Sequence, residues 1–294
     1  MAVFKLGDVK RGGMMALASA VLFGVSTPAA KVLVGNVRPL MLAGLLYLGS
    51  GLGLGLFQMI GRRGQAINLV RKDMKWLAAT VLFGGALGPA LLMYGLTQTS
   101  GAVASLLLTL EGVFTALLAW IVFREPFNRR IGLGMAAIFI GAVVLAVQGP
   151  AGQAGVTGAL AVAAACLCWA IDNNCTSRIS HGDAPTLASI KGIAAGVVNV
   201  GLAFAVGAGM PSGVAVGSAM LVGLAGYGVS LVLFVLALRE IGAARSGAYF
   251  STAPFIGAVV GLVALHEPWS VALAVAGGFM ALGVWLHLTE AKQG

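Results

Sequence analysis

The chain has 294 residues, 59% of them hydrophobic and 9% charged, a net charge of +9 and a mean hydropathy of +0.99. A soluble domain carries about 25% charged residues and cannot hide this much apolar surface, so the composition excludes a water-soluble globular protein. It specifies an integral membrane protein, whose basic excess follows from loop charges and calls for no nucleic acid.

A membrane-crossing helix needs about 20 mostly apolar residues to cover about 30 Å of hydrocarbon. Ten stretches qualify, numbered here spans 1 to 10: 12–34, 38–60, 76–97, 100–123, 131–148, 157–178, 184–208, 214–238, 243–265 and 269–289. Lys5, Lys10 and Arg11 precede the first, as in a signal peptide. Its apolar run is too long for one, however, and lacks a small-residue cleavage site. With the N-terminus cytoplasmic, the inner segments collect Lys5, Lys10, Arg11, Arg62, Arg63, Arg71, Lys72, Lys75, Arg124, Arg129, Arg130, Arg178, Arg239, Arg245 and Lys292. The outer loops hold only Arg38, and Lys31 and Lys191 fall within spans. This bias predicts a multi-pass protein of the cytoplasmic (inner) membrane with both termini cytoplasmic.

Glycine, at 44 residues, is at about double its ordinary usage. "GLGLG" at 51–55, "GGALG" at 84–88 and Gly192 with Gly196 have the small-xxx-small spacing of closely packed membrane helices. Cys166, Cys168 and Cys175 share one predicted helix in no metal-ligand spacing and read as small apolar packers.

The segment "SLLLTLEGVFTALLAWIVFREPF", 105–127, lies without gaps on "GAYFSTAPFIGAVVGLVALHEPW", 247–269, which superposes Glu125-Pro126 on Glu267-Pro268. "FGVSTPAAK" at 23–31 matches "WAIDNNCTS" at 169–177 more loosely. The expected architecture is therefore an all-α membrane domain of ten transmembrane helices in two five-helix repeats, 1–150 and 151–294. An odd number of spans per repeat makes the second enter from the opposite side, the inverted topology of secondary transporters.

Two five-span halves, with Phe23-Gly24 and Trp169-Ala170 in their first spans and Glu-Pro pairs at 125–126 and 267–268, resemble the EamA family of the drug/metabolite transporter superfamily. The resemblance covers nearly the whole chain. It implies movement of amino acids and other small metabolites, often outward, as in bacterial exporters of amino acids including aromatic ones. The cation typical of each half's second span stands here as Lys191, with Leu45 in the aligned place of the first half.

Ionisable groups within hydrocarbon cost about 2.5 to 3.5 kcal/mol each on the insertion scale, which makes each a candidate functional residue. There are four: Lys31, Glu111, Asp172 and Lys191. Lys31 is close enough to the outer end of span 1 to snorkel to water. Glu111 is at the midplane, with Thr115 on the same helix face, and must meet a water-filled cavity, pair with a cation or carry a proton. Asp172 lies about 9 Å from the inner end of span 6, and Lys191 about 10 Å from the inner end of span 7, so an ion pair between them is expected. Trp169, Asp172, Asn173 and Thr176 form a stripe that suits the charged end and side chain of an amino acid, or clamps two helices together. In "RSGAYFSTAPF", Ser246, Tyr249 and Thr252 share a face, and Pro254 deprives the carbonyl of Phe250 of its hydrogen bond. Glu125 and Glu267 read as structural residues at span boundaries.

An intramembrane hydrolase or metalloprotease needs catalytic histidines at depth, but His181, His266 and His287 all lie at span ends. No Walker A loop is present, and "GLGLG" has no strand before it. The reading is of a non-enzymatic secondary transporter without metal or cofactor, whose partners are a small-molecule substrate and the lipid bilayer. The competing transporter reading is a proton-coupled exporter of cationic drugs, with Glu111 as the proton carrier.

Overall fold

The computed structural model describes residues 6–61, 73–124, 129–147, 153–179, 184–241 and 243–290. Every regular element among them is helical, as hydrocarbon requires, because a lipid-exposed backbone must satisfy its hydrogen bonds within its own segment. Span 1 is Leu6–Val34, span 2 Pro39–Gly61, span 3 Met74–Gln98, span 5 Arg129–Val147, span 6 Gln153–Ser177, span 7 Ala184–Ala205 and span 8 Gly213–Ile241. Spans 4 and 9 are each broken, into Gly101–Leu107 with Leu110–Phe123 and into Ala243–Phe250 with Ala253–Ala264. Among the described residues, nine helical segments are long and apolar enough to cross a membrane. The tenth, Val271–Glu290, is apolar over the shorter stretch Val271–Leu286. The predicted ten spans are thus all present as helices.

Span 2 packs along span 7, span 5 along span 10, and span 4 meets span 9 where Gly101–Leu107 packs against Ala253–Ala264. Span 1 contacts spans 8 and 9, just as span 6 contacts spans 3 and 4. Exchanging the first five spans for the last five leaves this pattern unchanged. Spans 2 and 7 approach closely: a Cβ added at Gly192 would lie 2.7 Å from the Cα of Gly51. The hydroxyl of Ser189 donates to the Gly51 carbonyl at 2.8 Å across the same seam. Glycine is needed there because any side chain would force the backbones apart.

Local irregularities also recur in both halves. Span 3 is π-helical over Thr80–Leu87 and span 8 over Leu224–Val229. The breaks in spans 4 and 9 share one chemistry: Thr109 donates to the carbonyl of Leu106 at 2.8 Å, and Thr252 to that of Tyr249 at 2.6 Å. A threonine hydroxyl that binds a carbonyl three residues back competes with the helical ladder. In span 9 Pro254 adds to this, since it has no N–H for the Phe250 carbonyl. Arg124 and His266 are both left-handed, with φ of 56° and 54°, immediately before the two Glu-Pro pairs.

Candidate functional site

The π-helical stretch of span 3 creates the first requirement at the centre of the molecule. In π geometry the carbonyl of Gly84 would bond the amide of residue 89, but that residue is Pro89. Two side chains supply the missing donors: Tyr47 Oη at 2.7 Å and Trp169 Nε1 at 3.0 Å. Asn199 Nδ2 reaches the next two carbonyls, Gly85 at 3.4 Å and Ala86 at 3.3 Å. Trp169 therefore braces span 3, and its buried ring does not line the cavities described below. Its N–H is directed to a backbone carbonyl, because an indole N–H in hydrocarbon needs an acceptor.

The break in span 4 places Glu111 one residue into a new helix. Its Oε1 accepts from Asn173 Nδ2 at 2.8 Å, and the same amide lies 3.3 Å from Thr115 Oγ1. Adjacent on span 6, Asp172 is buried, pairs through Oδ2 with Lys191 Nζ, and accepts from Thr176 Oγ1 at 3.2 Å. The expected pair between spans 6 and 7 is formed. It requires Gly84 opposite, where any Cβ would overlap the Asp172 carboxylate.

These residues line three adjoining cavities. A central one, about 280 Å³, has Lys191, Glu111, Asn173 and Ser50 among aromatic walls from Phe23, Tyr47, Tyr227, Phe234 and Phe250. The rings of Phe23 and Phe250 are 5.3 Å apart, those of Tyr47 and Tyr227 5.7 Å, and those of Phe234 and Phe250 4.9 Å. A second, about 250 Å³, lies toward the end of the molecule that carries Arg178 and Lys75. Its lining includes Asp172, Thr176, Leu77 and Ile179, and it shares Asn173 and Lys191 with the central cavity. A third, about 280 Å³, is mostly apolar, with Leu108, Ile138, Pro254 and Val284 in its walls, and meets the central cavity at Phe23, Glu111 and Phe250. Asn173 and Lys191 thus stand at one junction and Glu111 at the other.

At the opposite end the two halves are joined by hydrogen bonds. Glu267 accepts from the backbone amides of Gly101 at 2.6 Å and Ala102 at 2.7 Å, which caps the N-terminus of span 4 with a carboxylate. Lys31 is partly buried and its Nζ donates to the Leu96 carbonyl on span 3 at 2.6 Å, which uses one of the ammonium's three donors. Glu267 is therefore a structural contact between the two halves, and Glu125 lies outside the described residues.

Span 9 departs from the sequence reading by one residue of rotation. Gly247, Phe250, Ser251 and Pro254 face the third cavity, whereas Ser246, Tyr249 and Thr252 lie off it. Ser246 is fully buried, Tyr249 is 41% exposed, and a side chain at Gly13 would touch the Tyr249 hydroxyl. The Thr252 hydroxyl is spent on the helix break. Each residue turns a helix by about 100°, so an adjacent choice of face moves the whole set off the cavity. The aromatic wall was missed because Phe23, Tyr47, Tyr227 and Phe234 sit on spans 1, 2 and 8, in runs whose hydrophobicity conceals which side faces inward. Among the described residues, no group of three His, Cys, Asp or Glu is placed to hold a metal ion.

The EamA-like transporter family model matches the chain twice, over residues 10–147 and 156–289. An uncharacterized transporter of Methanothermobacter thermautotrophicus is 27% identical over 299 residues, which cover 96% of this chain and 87% of the relative. A protein of known crystal structure has the same fold, with a TM-score of 0.67 over 96% of this chain and 97% of that one, at 18% identity. Matched over nearly its whole length, the chain belongs to the EamA-like transporter family and is a multi-pass membrane transporter.

Proposed function

We propose that this transporter exports amino acids or related small metabolites across the cytoplasmic membrane, by alternating access between two inverted five-helix repeats, 1–150 and 151–294. The observation that carries the reading is the presence of an anion, Glu111, and a cation, Lys191, on the wall of one small cavity. A zwitterion offers each its complement: its ammonium group to Glu111, and its carboxylate to the Lys191 donors that Asp172 leaves unused. A volume of about 280 Å³ is near the lower limit of ordinary small-molecule sites, about 300 Å³, which suits a ligand of amino-acid size. The apolar cavity beyond Glu111 would take its side chain. The twofold family match and the exchange-symmetric packing support the two repeats. The chain of cavities toward the basic end, with the other end tied by Glu267, suits a carrier that loads from the cytoplasm.

The test is Glu111→Gln, which keeps shape and removes the charge. Uptake and counterflow are measured in proteoliposomes with and without a pH gradient, over a panel of amino acids and lipophilic cations. Loss of both gradient-driven transport and exchange of an amino acid is expected. Loss of gradient-driven transport alone, with lipophilic cations as the substrates, would replace this reading with the proton-coupled drug exporter. Unchanged rates in both assays would remove Glu111 from the site.

A further inference from the structure

A separate cleft of about 290 Å³ lies between spans 2, 7 and 8 at the basic end of the molecule. Val232, Val235, Leu236 and Arg239 line it from span 8, at the i, i+3, i+4 and i+7 spacing of one helix face. Leu231 and Phe234 face the central cavity from the other side of the same helix. Phe57 closes the cleft from span 2 and is 64% exposed, next to the exposed Leu56, Met59 and Ile60. This surface is therefore where the protein meets lipid.

Among the described residues, the one charged group that lines the cleft is a cation. Arg239 is in the last turn of span 8, at the basic end of the molecule. Gln58 is near the end of span 2, and its Oε1 accepts from the Thr186 hydroxyl at 2.8 Å, while its buried Nε2 has no partner among the described residues. Pro185 belongs to the first turn of span 7, the positive end of that helix's dipole. Among the described residues, no carboxylate lines the cleft. From Arg239 to Val232 is seven residues, about 10 Å of apolar wall below a cationic rim.

We propose that this cleft binds one anionic phospholipid, its phosphate at Arg239 and the Gln58 amide, and one acyl chain along Val232, Val235 and Leu236. Charge complementarity selects the occupant. A zwitterionic lipid would bring its own cation to a rim whose charged group is itself a cation, and a soluble anion would leave the apolar wall uncovered. Basic clefts between membrane helices at the cytoplasmic leaflet are suited to such headgroups. The bound lipid would support the reverse face of the helix that walls the central cavity. This proposal does not depend on which substrate is carried.

The full-length protein, delipidated in detergent, is titrated with phosphatidylglycerol, phosphatidylcholine or glycerol 1-phosphate, with melting temperature and retained lipid by native mass spectrometry as readouts. Phosphatidylglycerol alone should stabilise the wild type and remain bound. Arg239→Gln should weaken that response about fivefold, the loss expected for one basic contact near a membrane surface. Val235→Trp, which fills the acyl groove, should abolish it, and Lys75→Gln, at the same end but outside the cleft, should leave it intact. An equal response to phosphatidylcholine, a response to glycerol 1-phosphate alone, or an Arg239→Gln protein that behaves like Lys75→Gln would each overturn the proposal.

Discussion

Asn173 donates to Glu111 across 2.8 Å while its neighbour Asp172 pairs with Lys191, so two consecutive residues of span 6 hold both charged groups of the central cavity. A shift of span 6 would move the two together. On the proposed function, span 6 would be the element on which a substrate carrying both charges acts most directly.

Removing the Asn173 amide should therefore weaken substrate binding without unfolding the protein. Asn173 is exposed to the cavity, and its amide donates to the Glu111 carboxyl group, a charge-assisted bond when that group is ionised. Such bonds are worth about 1.5 to 3 kcal/mol. Asn173→Ala should raise the half-saturating substrate concentration roughly tenfold in proteoliposome counterflow, while the melting temperature falls only by the few degrees that one lost bond implies. Wild-type affinity would show that Glu111 needs no help from span 6.

Breaking the buried ion pair should cost stability. Asp172→Asn leaves Lys191 without its counter-charge, at about 3 kcal/mol for a well-buried pair. The double variant Asp172→Asn/Lys191→Met should recover part of that loss, because the unpaired cation is gone. Strict additivity of the two single changes in thermal melting would show that the residues do not couple.

Two glycines near the site should respond in opposite ways. A Cβ at Gly84 overlaps the Asp172 carboxylate, so Gly84→Ala should destabilise the protein by about 1 to 3 kcal/mol. At Gly112, which lines the apolar cavity beside Glu111, a Cβ meets nothing within 4 Å. Gly112→Val should fold normally and discriminate against the bulkiest substrates. Unaltered substrate preference in counterflow would show that this cavity does not receive the side chain.

Glu267→Ala should loosen the end opposite the basic one. The carboxylate caps Gly101 and Ala102, and loss of such a cap costs about 1 to 2 kcal/mol. Thr99 is buried beside this cap. A Thr99→Cys thiol should become several-fold more reactive toward a membrane-impermeant reagent when Glu267→Ala is added. No gain in labelling would mean that this contact does not hold the end shut.

The orientation proposed from basic residues predicts that tags at either terminus are reached only from the cytoplasm. A C-terminal reporter that reads as periplasmic would remove the cytoplasmic loading direction.

The ten spans, the candidate status of Glu111 and the Asp172–Lys191 pair were legible in the sequence, because a charge in hydrocarbon is conspicuous and helix rise converts spacing into depth. Depth along one axis is what a sequence of membrane helices determines. It does not determine how each helix is rotated, since in runs apolar on every side the periodicity carries little signal. Tertiary packing decided that Phe250, Ser251 and Pro254 face the cavity in place of Ser246, Tyr249 and Thr252. It also turned Trp169 to an orphaned carbonyl on span 3, brought Lys31 to Leu96, and gathered aromatic rings from spans 1, 2, 8 and 9 around a cavity. Each outcome rests on a partner more than 60 residues away in the chain or on one helix's rotation against another, and those relations exist only once the helices meet.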